Sequence, residues 1–385
     1  MVNSTLFSKE ELSRYNRHII IPGFGMEAQQ KLKKARVLVV GAGGLGSPVL
    51  LYLAAAGVGQ IGIVDCDTID DSNLQRQVLY DVESIGKLKA EKAMERLKAL
   101  NPYITITIYN TQLTSKNALE IIREYDVVAD GTDNFPTRYL VNDACVLLNK
   151  TNVYASIYQF EGYVSVFNYL QADGQYGPNY RDLYPDPPPA GSVANCSEAG
   201  VLGVLPGIIG SMQALEVIKV ASGVGEVLSG RLFIFDALSF ETRTFNVKKS
   251  LANPLNGEHP TITALIDYEQ FCGVKAMERK VKSISSEEFS RLREIDPNMR
   301  LIDVREADEY ELVNIGGELM PLSTISEITF PTNNAEKIVV MCKSGMRSTK
   351  AIQMLEDKYG CQNMYNLEGG IIGHIHKMQL GLPTY

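Results

Sequence analysis

The stretch ARVLVVGAGGLGSPVLLYLAAAGVGQIGIVDCD, residues 35 to 67, does most to limit what this chain can fold into. A valine-rich run gives way to a glycine cluster, then to a helix-forming stretch, then to a second β-branched run that ends at Asp65. The order reads strand, tight turn, helix, strand. A βαβ unit of this kind builds a parallel sheet with a right-handed crossover. Gly41, Gly43 and Gly46 fit G-x-G-x-x-G, with Gly44 inside the turn. Glycines let the backbone approach a phosphate group, and the helix that follows offers N–H donors and the positive end of its dipole. Asp65 lies about twenty residues on, where a carboxylate reaches ribose hydroxyls. A ligand-free βα turn is the plain alternative, and the fingerprint by itself points to a nicotinamide or flavin enzyme.

The rest of the chain continues the alternation. An N-terminal helical segment opens with Ser8 and Glu11 in capping-box spacing. KLKAEKAMERLKALNP reads as a helix stopped by Pro102, ITITIYN and YDVVADGTDN as strands, and TNVYASIYQFEGYVSVFNY as two more. A loop rich in proline and glycine occupies roughly residues 171 to 195. The helix GSMQALEVIKVASG and the strand RLFIFDA then close a first domain near residue 250. Residues 251–280 read as a linker, or as an arm lying on that domain. From 281 to 385 a second pattern runs: helix SSEEFSRLRE, strands RLIDVRE and KIVVMC, helix STKAIQMLEDKYG, strand NMYNLEGG. The expected fold is therefore α/β throughout, a Rossmann-like doubly wound sheet followed by a small α/β domain.

With 385 residues there is room for two or three cores. A net charge of −8 argues against nucleic acid as a partner. The opening MVNSTLFSKEELSRYNRH carries charges and no apolar run of signal-peptide length. The most apolar window, AGVLGVLPGIIGSMQAL, is broken by Gly203, Pro206 and Gly207, which favours a buried helix over a membrane span. None of the six cysteines forms a CxxC pair. Reduced thiols in a cytoplasmic chain are expected, with no membrane partner.

Polar residues around the fingerprint favour a triphosphate over NAD. DDSNLQRQ presents Asn73 and Arg76, and GKLKAEK puts Lys87 and Lys89 at a helix start. A lysine and an arginine on one nucleotide offset a triphosphate's charge. DGTDN puts Asp130 and Asp133 at the carboxyl end of a strand, where α/β sheets bind ligands and where Mg²⁺ could bridge carboxylate and phosphate. Near the other end, Cys342 follows the apolar run KIVVM and precedes KSGMRS, a loop of small and cationic residues leading into a helix. Loop N–H groups, the helix dipole, Lys343 and Arg347 would all lower a thiol pKa and stabilise an anionic sulfur.

RYNRHI, GAGGLGSP, DDSNLQRQ, GTDNFPTRYLVND and CSEAGVLG, taken in order, resemble the MoeB/ThiF (HesA) family, relatives of the ubiquitin-activating enzymes. CKSGMRS, with LIDVRE (Asp303, Arg305) before it and NLEGG after it, resembles a rhodanese-like domain. The order resembles fused adenylyltransferase–sulfurtransferase enzymes. The resemblance implies an ATP site built from Gly44, Asp65, Ser72, Asn73, Arg76, Lys89, Asp133 and Asn134, with Asp133 holding Mg²⁺. It implies a homodimer in which Arg14 reaches the partner's ATP. The substrate would be the C-terminal Gly-Gly carboxylate of a ubiquitin-like sulfur carrier (MoaD/ThiS-like), activated as an acyl-adenylate. Cys342, in the loop Lys343, Ser344, Gly345, Met346 and Arg347, would take sulfur from a donor such as a cysteine desulfurase or thiosulfate and carry it as a persulfide. Cys196 would be a further reactive thiol, as a covalent link to the carrier or as reductant. Two departures stand out. The family's zinc-binding CxxC pairs are absent, Asn179 and Asp182 standing at the first and NPLNGEHP at the second, so no zinc site is expected. GGIIGHI also lacks the tryptophan that often follows the paired glycines. Cys66, Cys145, Cys272 and Cys361 read as structural. A nicotinamide oxidoreductase and a non-catalytic carrier-binding scaffold remain the alternative readings.

Overall fold

The computed structural model describes residues 6–188, 200–273, 281–296, 299–325 and 337–384. The chain divides into two compact units, Met1–Val274 and Lys275–Tyr385. In the first, helix α1 (Lys9–Ile19) starts on the expected capping box, with Ser8 Oγ accepting from the Glu11 N–H and Glu11 accepting from the Ser8 N–H. After α2 (Gly25–Lys34) come β1 (Arg36–Val40), α3 (Gly46–Ala56), β2 (Gln60–Val64), α4 (Lys89–Leu100), β3 (Thr105–Tyr109), α5 (Ala118–Arg123), β4 (Val127–Asp130) and α6 (Phe135–Leu147). Then follow β5 (Thr151–Tyr158), β6 (Glu161–Phe167), β7 (Arg231–Asp236) and β8 (Thr242–Asn246).

These eight strands form one sheet in the order β3-β2-β1-β4-β5-β6-β7-β8. Neighbours from β3 to β5 run parallel, and the β5–β6, β6–β7 and β7–β8 pairs are antiparallel. Central parallel strands are covered on both faces, which is why β1 reads as an unbroken apolar run. Val37 and Val39 pack with α3 on one face, and Leu38 and Val40 with α5 and α6 on the other.

Three features depart from the sequence reading. Strand β8 was not anticipated; all five of its residues are exposed, so it lacks the apolar alternation of a half-buried strand. The helix expected from Gly210 runs Val204–Ser222, because Pro206 falls in the first turn, where an N–H has no helical partner anyway. By length and composition alone that helix could cross a membrane. Here it packs on α3, β5 and β6, burying Leu205, Ile209, Ala214 and Val217. Third, the proline-rich loop contains a short helix, α7 (Tyr180–Leu183). Residues 251–273 lie on the first unit, where Tyr268 and Cys272 enter its core.

The second unit is a parallel sheet, β11-β10-β12-β13-β9, built from Glu318–Leu319, Arg300–Asp303, Ile338–Met341, Met364–Leu367 and Ser283–Ile284. Helices Ser286–Ile295, Ala307–Leu312, Met346–Tyr359 and Gly370–Met378 accompany it. Asp303 and Arg305 form a fully buried pair at 2.6 Å, and Arg305 also bonds the carbonyls of Glu309 and Val313. That bonding ties the end of β10 to helix Ala307–Leu312.

Candidate functional site

In the first unit a cavity of about 540 Å³ opens at the carboxyl ends of the parallel strands. It sits where β1 is flanked by β2 on one side and β4 on the other, the switch point at which open α/β sheets bind ligands. Gly41, Gly43 and Gly44 form part of its wall. Gly41 has φ +90°, and a Cβ on Gly46 would run into the Gly41 carbonyl oxygen, so the turn requires glycine at both places.

Asp65 braces this turn: one carboxylate oxygen accepts from the Ala42 N–H and the other from the Asp67 N–H, both at 2.8 Å. Burial pushes the Asp65 carboxyl above its ordinary range despite these bonds. Lys89, the first residue of α4, lines the cavity with its ammonium paired to Asp67 at 2.9 Å. The Tyr80 hydroxyl donates to the Ala42 carbonyl at 2.8 Å and lies 3.3 Å from that of Lys89, joining the glycine turn to the start of α4. Arg76 lines the cavity and donates to the Ser72 carbonyl. Asn73, Asp133 and Asn134 are also on the wall, and Asn134 caps α6 by accepting from the Thr137 N–H. Asp130, just below, is fully buried; Thr132 donates to it through both N–H and hydroxyl, and burial pushes its carboxyl up to about 6.

Most of the expected nucleotide residues therefore share one cavity. Two do not line it. The Ser72 hydroxyl donates to Asp70 at 2.6 Å. Arg14 donates to the Leu100 carbonyl and stacks on Tyr103. Cys196 lies outside the described residues. Cys66, expected to be structural, is exposed and lines the cavity. Sequence reading passed over Gln77, Leu113, Arg138 and Ile157, which also line it. Of these, only Arg138 carried a signal, as a cation four residues after the Asn134 cap.

Among the described residues no three His, Cys, Asp or Glu side chains gather as a metal site. The exposed Asp133 suits Mg²⁺ held by one carboxylate together with phosphate oxygens. At the first position of the missing zinc cysteines, buried Asn179 caps α7 and donates to Asn256 at 3.1 Å, while Asp182 accepts from the Ser250 N–H at 2.8 Å. Nearby, the buried pair Arg181–Asp143 is joined by the Tyr268 hydroxyl, linking α7, α6 and the 251–273 segment.

In the second unit Cys342 directly follows β12 and is fully buried. Its sulfur accepts from the Gly345 N–H at 3.1 Å and lies 3.4 Å from the Ser348 hydroxyl. Gly345 has φ +102° and caps helix Met346–Tyr359, so the loop turns the Gly345 N–H toward the sulfur. The Ser348 hydroxyl is also 2.6 Å from Asn366 on β13. Lys343 is half-buried, and Ser344 and Met346 are exposed. Arg347 departs from expectation: Glu309 holds it bidentately at 2.5 and 2.7 Å, offsetting the charge that the sequence assigned to the cysteine loop.

Fold and site thus define a nucleotide-binding α/β unit joined to a cysteine-centred α/β unit. Residues 15–255 match the ThiF family and residues 285–373 the rhodanese-like domain. The chain is 45% identical over 389 residues to the probable adenylyltransferase/sulfurtransferase MoeZ of Mycobacterium tuberculosis, covering 99% of this chain and 97% of that protein. It is 53% identical over 269 residues to the sulfur carrier protein adenylyltransferase of Thermus thermophilus, covering 70% of this chain and 99% of the relative. The adenylyltransferase and sulfurtransferase MOCS3 of Xenopus laevis is 38% identical over 413 residues, with 100% and 90% covered. Among solved structures, E. coli MccB with MccA-N7isoASN shares the fold at a TM-score of 0.57 and 22% identity, over 65% of this chain and 75% of that one. The chain belongs to the ThiF family and is an adenylyltransferase joined to a rhodanese-like sulfurtransferase.

Proposed function

We propose that this enzyme adenylates the C-terminal Gly-Gly carboxylate of a ubiquitin-like sulfur carrier with ATP, and then converts it to a thiocarboxylate with sulfur carried on Cys342. One observation carries this reading: Arg76, Lys89 and Asp133 share a switch-point cavity with the glycine turn, in a chain whose second unit cradles a cysteine sulfur. A carboxylate is a poor acyl donor. Its oxygen attacks the α-phosphorus, the bond to the pyrophosphate oxygen breaks, and the acyl group gains AMP as leaving group. Such a displacement needs positioning and charge neutralisation more than covalent help. Lys89 and Arg76 would meet phosphate charge, Asp65 the ribose, and Asp133 would hold Mg²⁺.

A Cys342 persulfide then attacks the acyl carbon and AMP leaves, giving an acyl disulfide. A thiol, Cys196 or an external reductant, cleaves the S–S bond, releases the thiocarboxylate and is itself oxidised to a disulfide. The sulfur would come from a cysteine desulfurase or from thiosulfate. Arg14 lies off its own cavity, which suits service to the partner's ATP in a homodimer. The described cysteines Cys66, Cys145, Cys272, Cys342 and Cys361 are free thiols, which suits the cytoplasm.

The test is ATP–pyrophosphate exchange with purified carriers ending in Gly-Gly, beside the same carriers lacking the last glycine. Exchange with one intact carrier is expected. Tight NADH binding without exchange for any carrier would overturn the reading.

A further inference from the structure

We infer that Arg138 receives the carrier's terminal carboxylate and holds it for attack on the α-phosphorus, a role that rests on the adenylation proposed above. Arg138 is in the first turns of α6 and lines the cavity. Its guanidinium carbon sits 5.5 Å from the Phe135 ring centre and 5.4 Å from that of Tyr154. Its hydrogen-bonding capacity is underused. Nε is buried without an acceptor, and Nη2 reaches the Thr132 carbonyl only at 3.4 Å. The Tyr180 phenol supplies one more contact. The carboxylate within electrostatic reach, Asp130, accepts both Thr132 donors on one oxygen and leaves the other without a hydrogen bond. A planar fork of five donors on a cavity wall, not matched by a carboxylate of its own, suits an incoming anion held by two parallel bonds.

Position decides which anion. Asp65 marks the ribose end beside β2, and Lys89, paired to Asp67, stands on that same side of the glycine turn. Arg138 and Ile157 belong to the β4–β5 side. Three strand spacings separate β2 from β5, about 14 Å. In-line displacement places the attacking oxygen opposite the leaving group. With pyrophosphate drawn toward Lys89, the attacking carboxylate approaches from the side of Arg138. Ile157 on β5 and Val201, which bridges to Gln159 just beyond it, give that end apolar walls, suited to an uncharged glycine tail.

The test uses the full chain and the Gly-Gly carrier that supports exchange, prepared with a free C-terminal carboxylate and with a C-terminal amide. Binding of each is measured in the presence of an ATP analogue with a methylene between the α and β phosphorus. Wild type is expected to favour the carboxylate form about tenfold or more. Arg138→Gln should bring the two forms within about twofold, with the affinity for the ATP analogue unchanged. Arg138→Lys, which keeps charge and loses the fork, should keep part of the preference. A structural role alone would weaken both forms equally. Full preference in Arg138→Gln, no preference in wild type, or a loss of ATP affinity in place of carboxylate preference would each overturn the inference. Failure of every carrier to support exchange with wild type would instead strike at the adenylation reading.

Discussion

Lys89 meets its cavity already paired. Asp67, two-thirds exposed, holds an ammonium that is itself buried, so an anion reaching Lys89 would compete with a solvated carboxylate and not with a buried one. Asp133 stands apart from that pair. Asp133→Ala should abolish pyrophosphate exchange while thiosulfate still loads sulfur on Cys342. Cys342→Ala should do the reverse. Equal loss of both reactions in either variant would contradict two separate sites. Asp130 offers a pH signature. Its folded pKa, about 6, lies above the ordinary carboxylate value, so between roughly pH 4 and 6 the folded chain keeps a proton that the unfolded chain has released. Stability therefore falls as pH rises through that window and stays lower above it. Asp130→Asn should be the more stable protein at pH 8, by up to about 3 kcal/mol, with the advantage gone near pH 4. Denaturant melts across that range check it, and an advantage that grew toward acid would refute the sign.

At the scale of elements, the turn between β1 and α3 tolerates little. Gly46→Ala drives a Cβ into the Gly41 carbonyl, so loss of ATP binding is expected even in chains that still fold, as read by nucleotide titration and circular dichroism. Polar contacts tie the 251–273 segment to the first unit. Tyr268→Phe removes one hydrogen bond to a buried carboxylate and should cost about 1.5–3 kcal/mol. Asp143→Ala strands the buried Arg181 and should cost about 3–5 kcal/mol in the same denaturation experiment. A chelator should leave the stability of this unit unchanged.

For the whole molecule, separate cores in Met1–Val274 and Lys275–Tyr385 predict two transitions in scanning calorimetry. Asp143→Ala should move one of them only. A single transition that shifted as a whole would show the units to unfold together.

The sequence by itself determined the α/β class, the glycine turn, the presence of two kinds of domain and most of the polar residues that share the switch-point cavity. Each of these is local: a period of apolar residues, a glycine that only one turn requires, a charged residue a fixed step from a strand end. Tertiary structure decided the rest, because it depends on what meets across distance. Sequence could not show that Arg347 turns to Glu309, since the two stand 38 positions apart. Nor could it show that β8 extends the sheet as an exposed edge, that Tyr268 anchors the 251–273 segment to α6, or that Cys66 and Arg138 reach the cavity wall. Those outcomes follow from packing and from the pairing of buried charge, and neither is written in the spacing of residues along the chain.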